Sequence, residues 1–270
     1  MAKLDIDSPY PLTAGQIEQF RRDGFIKLKH VLSPEVIAHY ARVITPEVFR
    51  LNTMHLPIEQ RDTYNKAFLQ VGNIWTKNET VKEFCWGQRL ARLAAELMGV
   101  RGVRMYHDQA LYKEPGGGPT PFHQDMHYWP LDTDNTVTMW MPLVNITGAM
   151  GSMTFVNGTH RMGYLGELPI SDESESVFRS FIADRNLTTR TYGAMAAGDA
   201  TFHAGWTLHG APGNTTGEMR EVMTVIYMAA NTRVNAPDNE NRQQDLEKWL
   251  PGLKAGDLAA SPLNPVLWGR

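Results

Sequence analysis

The sequence sets His123 and Asp125 two residues apart in Pro121-Phe122-His123-Gln124-Asp125, and beyond the neighbouring His127 three more histidines, His160, His203 and His209, follow downstream. Two imidazoles and one carboxylate form the facial ligand set of non-haem Fe(II), which leaves metal positions open for O2 and an organic co-substrate. On a strand, residues i and i+2 share a face, so His123 and Asp125 would reach one metal while Gln124 turns away. The third ligand must come from far along the chain. His203 ends an apolar run and reads as a buried, hydrogen-bonded histidine, and His160 lies in the turn Asn157-Gly-Thr-His160. His209 is preferred because it precedes the turn Gly210-Ala-Pro-Gly-Asn214, which leads to Arg220. Arginine pairs with carboxylates in a bidentate fork. An Arg220 turned inward at the head of an apolar strand therefore implies a bound organic acid. His127, two residues past Asp125, reads as an outer contact to the ligands or to substrate.

These side chains need a rigid β frame. Residues 103–112, 136–144, 152–156, 200–203 and 221–228 read as strands, separated by turn signals such as Gly116-Gly-Gly-Pro119, Asn157-Gly158 and Gly198-Asp199. Several short strands with regular turns point to a sandwich, jelly roll or barrel. The first hundred residues read mostly helical. Thr13-Ala-Gly-Gln16 is a capping box, Gly24 a stop, 25–28 a short strand, and Ser33-Pro34 a second helix start. Helical runs follow at 79–85 and 88–98, closed by Gly99. An acidic helical stretch near 172–187 interrupts the strands, as a surface helix or as a cover over substrate. A charged helix at about 239–250 precedes an extended arm over 251–270. The expectation is an α+β chain, mainly β with helices, forming a single domain over 1–270. It has a helical layer to about 100, a β core over 101–231 with an insertion at about 161–190, and a C-terminal extension over 232–270.

The formal net charge of −3 gives no support for a nucleic-acid or anionic-membrane partner. The single cysteine, Cys85, excludes an internal disulfide and a multi-cysteine zinc site. A reducing, cytoplasmic setting is expected. No run approaches the roughly 18 uninterrupted apolar residues of a membrane span, and the N-terminal residues lack the apolar stretch of a signal peptide.

In order, spacing and flanks the chain resembles the phytanoyl-CoA dioxygenase (PhyH) family of Fe(II)/2-oxoglutarate-dependent oxygenases. The matching features are His123-Gln124-Asp125, Trp140-Met-Pro-Leu143, Gly151-Ser-Met-Thr-Phe-Val-Asn-Gly-Thr-His160-Arg161, Gly198-Asp199, and His209 through Asn214 with Arg220. Gln19-Phe-Arg-Arg-Asp-Gly24-Phe-Ile26 matches the family's opening helix and strand, so the resemblance runs from about 13 to 230. It implies a double-stranded β-helix, a cupin-like jelly roll with helices on one sheet. It implies His123, Asp125 and His209 as ligands of Fe(II), 2-oxoglutarate as co-substrate and O2 as oxidant. Arg220 would hold the distal carboxylate, with Trp140 nearby. Many relatives carry a small hydroxyl residue two positions after the distal histidine; Ala211 stands here, leaving Thr138 or Gln109 to supply that hydrogen bond. The implied reaction oxidises a substrate C–H while 2-oxoglutarate becomes succinate and CO2. The presence of Asp125 favours hydroxylation over halogenation. The expected substrate is a small, partly apolar molecule of secondary metabolism, and 52–57, 68–75, Tyr128-Trp129 and the insertion are candidate pocket walls. Two rival readings stand beside this one: a cupin-like metal dioxygenase that needs no oxo-acid and no Arg220, and a jelly-roll binding protein without turnover. The oligomeric state is not fixed by the sequence.

Overall fold

A computed structural model describes residues 4–269. Its helical layer begins where capping chemistry allows. Thr13 and Gln16 cap each other's backbone to launch α1 (Ala14–Asp23), which ends at Gly24 with φ +89°. β1 (Phe25–Leu28) follows. Ser33 accepts from the Val36 amide and Pro34 opens α2 (Pro34–Leu51). Next come α3 (Thr63–Ala67), β2 (Leu69–Gly72), α4 (Glu79–Cys85) and α5 (Gln88–Met98), the last two matching the sequence expectation. The β region contains β3 (Gly102–Tyr112), β4 (Thr120–His123), β5 (Thr136–Pro142) and β6 (Thr154–Val156). After α6 (Asp172–Asp184) come β7 (Thr189–Thr191), β8 (Ala200–Ala204), β9 (His209–Ala211) and β10 (Val222–Ala229). α7 (Glu240–Trp249) and β11 (Val266–Gly269) complete the described chain.

The strands form two antiparallel sheets. The larger runs β1-β8-β5-β10-β3-β11, with β2 also paired to β3, and the smaller runs β4-β9-β6-β7. This is the jelly-roll arrangement of a double-stranded β-helix with helices on one face. β10 is buried along its whole length because both of its faces are covered. Met223, Val225 and Tyr227 point to the helical layer, where they meet a core containing Ile37, Tyr40, Ile44, Phe84, Leu90 and Leu97. Val222 faces the other way, into a core between the sheets with Phe25, Trp140, Met153 and Phe155. Period-two alternation in one strand thus serves two cores.

The sequence reading differs in three places. His123 ends β4, and Asp125 begins a one-turn helix (Asp125–His127), so the pair does not lie on one strand as expected. β2, β4, β7 and β9 span only three or four residues, too few for alternation to register. The extended C-terminal arm ends in β11, which pairs with the edge of β3. Among the described residues no helix is long and apolar enough to cross a membrane.

Candidate active site

β4 and β9 pair so that His123 stands opposite His209 and Thr120 opposite Ala211. Two residues on β4, Pro121 and Phe122, therefore oppose Gly210 alone, a bulge that bends the strand. A Cβ on Gly210 would lie 2.8 Å from the Thr120 carbonyl oxygen, so a side chain there would force the strands apart. The two imidazole centroids are 4.2 Å apart. Each ring is fixed by its own strand: His123 Nδ1 donates to the Pro121 carbonyl at 2.8 Å, and His209 Nδ1 to that of Thr207 at 2.9 Å. Both Nε2 lone pairs are thereby left for a ligand. Asp125 Oδ1 lies 3.5 Å from His123 Nε2 and 3.7 Å from His209 Nε2. The three ligand atoms fall within 4.8 Å of one another. Two neutral nitrogens and one carboxylate oxygen aimed at one point fit Fe(II).

Asp125 is held from behind. Its Oδ2 accepts the Thr138 hydroxyl at 2.9 Å and His203 Nε2 at 3.2 Å, which leaves Oδ1 toward the other ligands. Burial alone would push the Asp125 carboxyl up, but His209, His123 and His203 outweigh it and hold the group well below the usual carboxylate range. Burial pushes the His209 imidazole well below its ordinary value, and neighbouring His123 and His203 add to the effect. Gln124 turns away from the ligands, as expected, but it has work of its own. Its amide nitrogen donates to the Gly163 and Trp206 carbonyls, and its oxygen accepts the Leu165 amide. That side chain ties the insertion to the metal turn. His160 lies apart, bonded to the Arg21 carbonyl and packed under Gly24. His127 bonds Tyr164 and Asn241, one layer out from the triad.

The triad and Arg220 line one cavity of about 460 Å³. Arg220 is 2% exposed and meets no carboxylate among the described residues. Its Nη1 donates to the Gly151 carbonyl, its Nε has no partner, and its guanidinium lies 5.4 Å from the centre of the Trp140 ring. Burial pulls its pKa down to about 9. Lys113 is equally buried. It pairs with Arg220 through the backbone, and its ammonium donates to Gly118 and Thr120. Burial first, and the Arg220 charge second, bring its pKa down to about 6. An unpaired buried cation is costly, and next to the Arg220 charge Lys113 gives up its proton at neutral pH.

Gln109 and Trp140 line the same cavity, as expected, and so does Thr138, although its hydroxyl proton goes to Asp125. Lys113 and Thr120 were not anticipated. No local pattern marks them; only the Lys113–Arg220 bridge beyond the β3–β10 pairing, the β4–β9 register and their burial bring them together.

Residues 20–222 match the phytanoyl-CoA dioxygenase (PhyH) family. The chain belongs to that family. As a phytanoyl-CoA dioxygenase family member it is an Fe(II)/2-oxoglutarate-dependent dioxygenase that uses O2. An ectoine dioxygenase of Streptomyces coelicolor is 23% identical over 248 residues, covering 84% of this chain and 82% of the relative. The epimerase SnoN, solved with Fe3+, alpha ketoglutarate and nogalamycin RO, superposes with a TM-score of 0.75 at 25% identity, covering 94% of this chain and 97% of that one. The carbocyclase SnoK from nogalamycin biosynthesis superposes at 0.78 with 20% identity, covering 96% and 99%. This PhyH-family chain therefore shares its fold with enzymes of different outcome, and the substrate must be argued from the cavity.

Proposed function

We propose that the enzyme hydroxylates an unactivated C–H of a small, partly apolar metabolite or natural-product intermediate, with 2-oxoglutarate converted to succinate and CO2. One observation carries the reading: a single cavity has three convergent ligand atoms and, beside them, a buried guanidinium with no acid of its own. His123, Asp125 and His209 hold Fe(II). Bound iron, with O2 and 2-oxoglutarate, supplies the oxidising chemistry. Arg220 takes the distal carboxylate of 2-oxoglutarate, with the Trp140 ring 5.4 Å from its guanidinium. Lys113, its pKa lowered to about 6, stands beside Arg220 as a largely neutral amine at neutral pH. Thr120, directly across from Ala211, supplies the hydroxyl that Ala211 lacks, in place of Thr138 and Gln109. Thr138 and His203 keep Asp125 facing inward.

On the other side of the cavity, Pro169 and Ile170 from the insertion meet Tyr128, whose hydroxyl accepts the Ile170 amide at 2.8 Å. These residues exclude water from the substrate, which favours the reading of the insertion as a cover. An oxygenase without an oxo-acid would leave the buried Arg220 charge with nothing to neutralise it, so the cupin-like reading is the weaker one.

The test is anaerobic reconstitution with Fe(II), then titration with 2-oxoglutarate while watching the visible metal-to-ligand charge-transfer band. A band is expected in the wild type. In Arg220→Ala the 2-oxoglutarate needed for it should rise by at least about 30-fold, because a buried charge-assisted pair is worth roughly 2–5 kcal/mol. Iron-loaded, folded protein with no band would overturn the proposal.

A further inference from the structure

The end of the cavity away from Arg220 has the opposite chemistry. It is closed by one face of α7, where Asn241, Gln244, Asp245 and Lys248 follow helical spacing and all line the cavity. The two amide nitrogens on this face each have a partner. Asn241 Nδ2 bonds His127 Nε2 at 3.1 Å, and Gln244 Nε2 donates to Glu240 at 3.2 Å. Their amide oxygens remain for a guest. Asp245 accepts from the Tyr106 hydroxyl at 3.3 Å, and no cationic nitrogen forms an ion pair with it among the described residues. Burial raises this carboxyl to about 7. The surrounding walls are aromatic, including Tyr64, Tyr128, Trp129 and Trp249. Acceptor oxygens among aromatic rings suit a cation better than an acid or a hydrocarbon. The protein displays the preference itself: the Lys248 ammonium lies 4.3 Å from the centre of the Trp249 ring.

We infer that the substrate carries a protonated amine, held by Asp245 and the α7 amide oxygens beside the Tyr128 ring, since His107 stacks on Trp249 at 4.1 Å and Lys248 covers that ring as well. The rest of the molecule then extends toward the triad. This deepens the oxygenase reading above and rests on it for the word substrate. The two ends of the cavity divide the labour by charge. Arg220 selects the dianionic co-substrate and Asp245 selects the cationic substrate. Lys248 competes with the guest for Asp245.

The test uses full-length protein loaded anaerobically with Fe(II) and 2-oxoglutarate at pH 7.5. Two probes of matched size, 4-phenylbutylamine and 4-phenyl-1-butanol, are titrated by calorimetry and by tryptophan fluorescence. The ammonium probe should bind at least about 10-fold tighter than the alcohol. Asp245→Asn should abolish that difference while leaving the 2-oxoglutarate band unchanged, and Lys248→Met should widen it. Equal binding of the two probes by wild type overturns the inference, without needing any variant to fold. Retention of the difference in Asp245→Asn overturns it too. The charge-transfer band separates the two proposals. A missing band removes the oxygenase reading, whereas a band without amine preference removes only this one.

Discussion

At the residue scale, Asp125 shows how a ligand is made ready by its neighbours. Thr138 and His203 occupy its outer oxygen, so the inner one has a single direction left. Outer contacts of this kind commonly govern metal affinity by about 10–100-fold. Thr138→Val should weaken Fe(II) binding within that range while 2-oxoglutarate still binds at saturating iron, measured by competition with a chelator. Lys113 carries a different signature. Its folded pKa of about 6 lies below its ordinary 10.5, so the unfolded chain binds more protons between those values and stability rises with pH across that window. Urea midpoints taken from pH 6.5 to 9 should climb more steeply in wild type than in Lys113→Met. The difference is bounded by about 1.4 kcal/mol per pH unit. His123, Asp125, His209 and Arg220 were legible in the sequence because residue type and order sufficed. Lys113, Thr120 and the role of His203 were not, since each depends on which strand lies opposite and on how deeply it is buried.

At the element scale, helices with caps and long buried strands were readable, because each carries its own start, stop and period. α5 was legible from Leu90, Leu93, Ala94 and Leu97 on one face and Gly99 at its end, and all four side chains are buried. Leu90→Ala should cost about 2–5 kcal/mol, read as a lower urea midpoint, with little change in 2-oxoglutarate affinity per folded molecule. Gly198 shows a constraint that composition only hints at. It has φ +84°, and a Cβ there would stand 2.4 Å from the Leu32 carbonyl oxygen. Gly198→Ala should therefore destabilise the join between the helical layer and β8 by more than the roughly 1 kcal/mol of a purely conformational change. The short strands escaped notice because their register is imposed by partners distant in sequence. The expectation that His123 and Asp125 share a strand failed for the same reason: a bulge and a turn, rather than pleat alternation, set their convergence.

At the scale of the whole molecule, the sequence made the fold class clear, but not the way α7 returns to close the cavity that the sheets begin. The charge division follows from that return, since Asp245 comes from the last helix and Arg220 from the head of β10. The cross-strand partnership of His123 and His209 has a further consequence. A metal bound to both joins positions 86 residues apart (209 − 123). Ions that close long stretches of chain restrict the unfolded ensemble, and the effect grows only with the logarithm of the enclosed length. The enclosed stretch contains β5, β6, α6, β7 and β8. Removing the metal with a chelator should lower the urea midpoint. It should also speed amide exchange in β4, β6 and β9 more than in α2 or α5, measured by mass spectrometry. The site is then a rivet as well as a reaction centre. A cell short of iron would hold not merely an idle enzyme but a looser one, whose smaller sheet is the first part open to a protease.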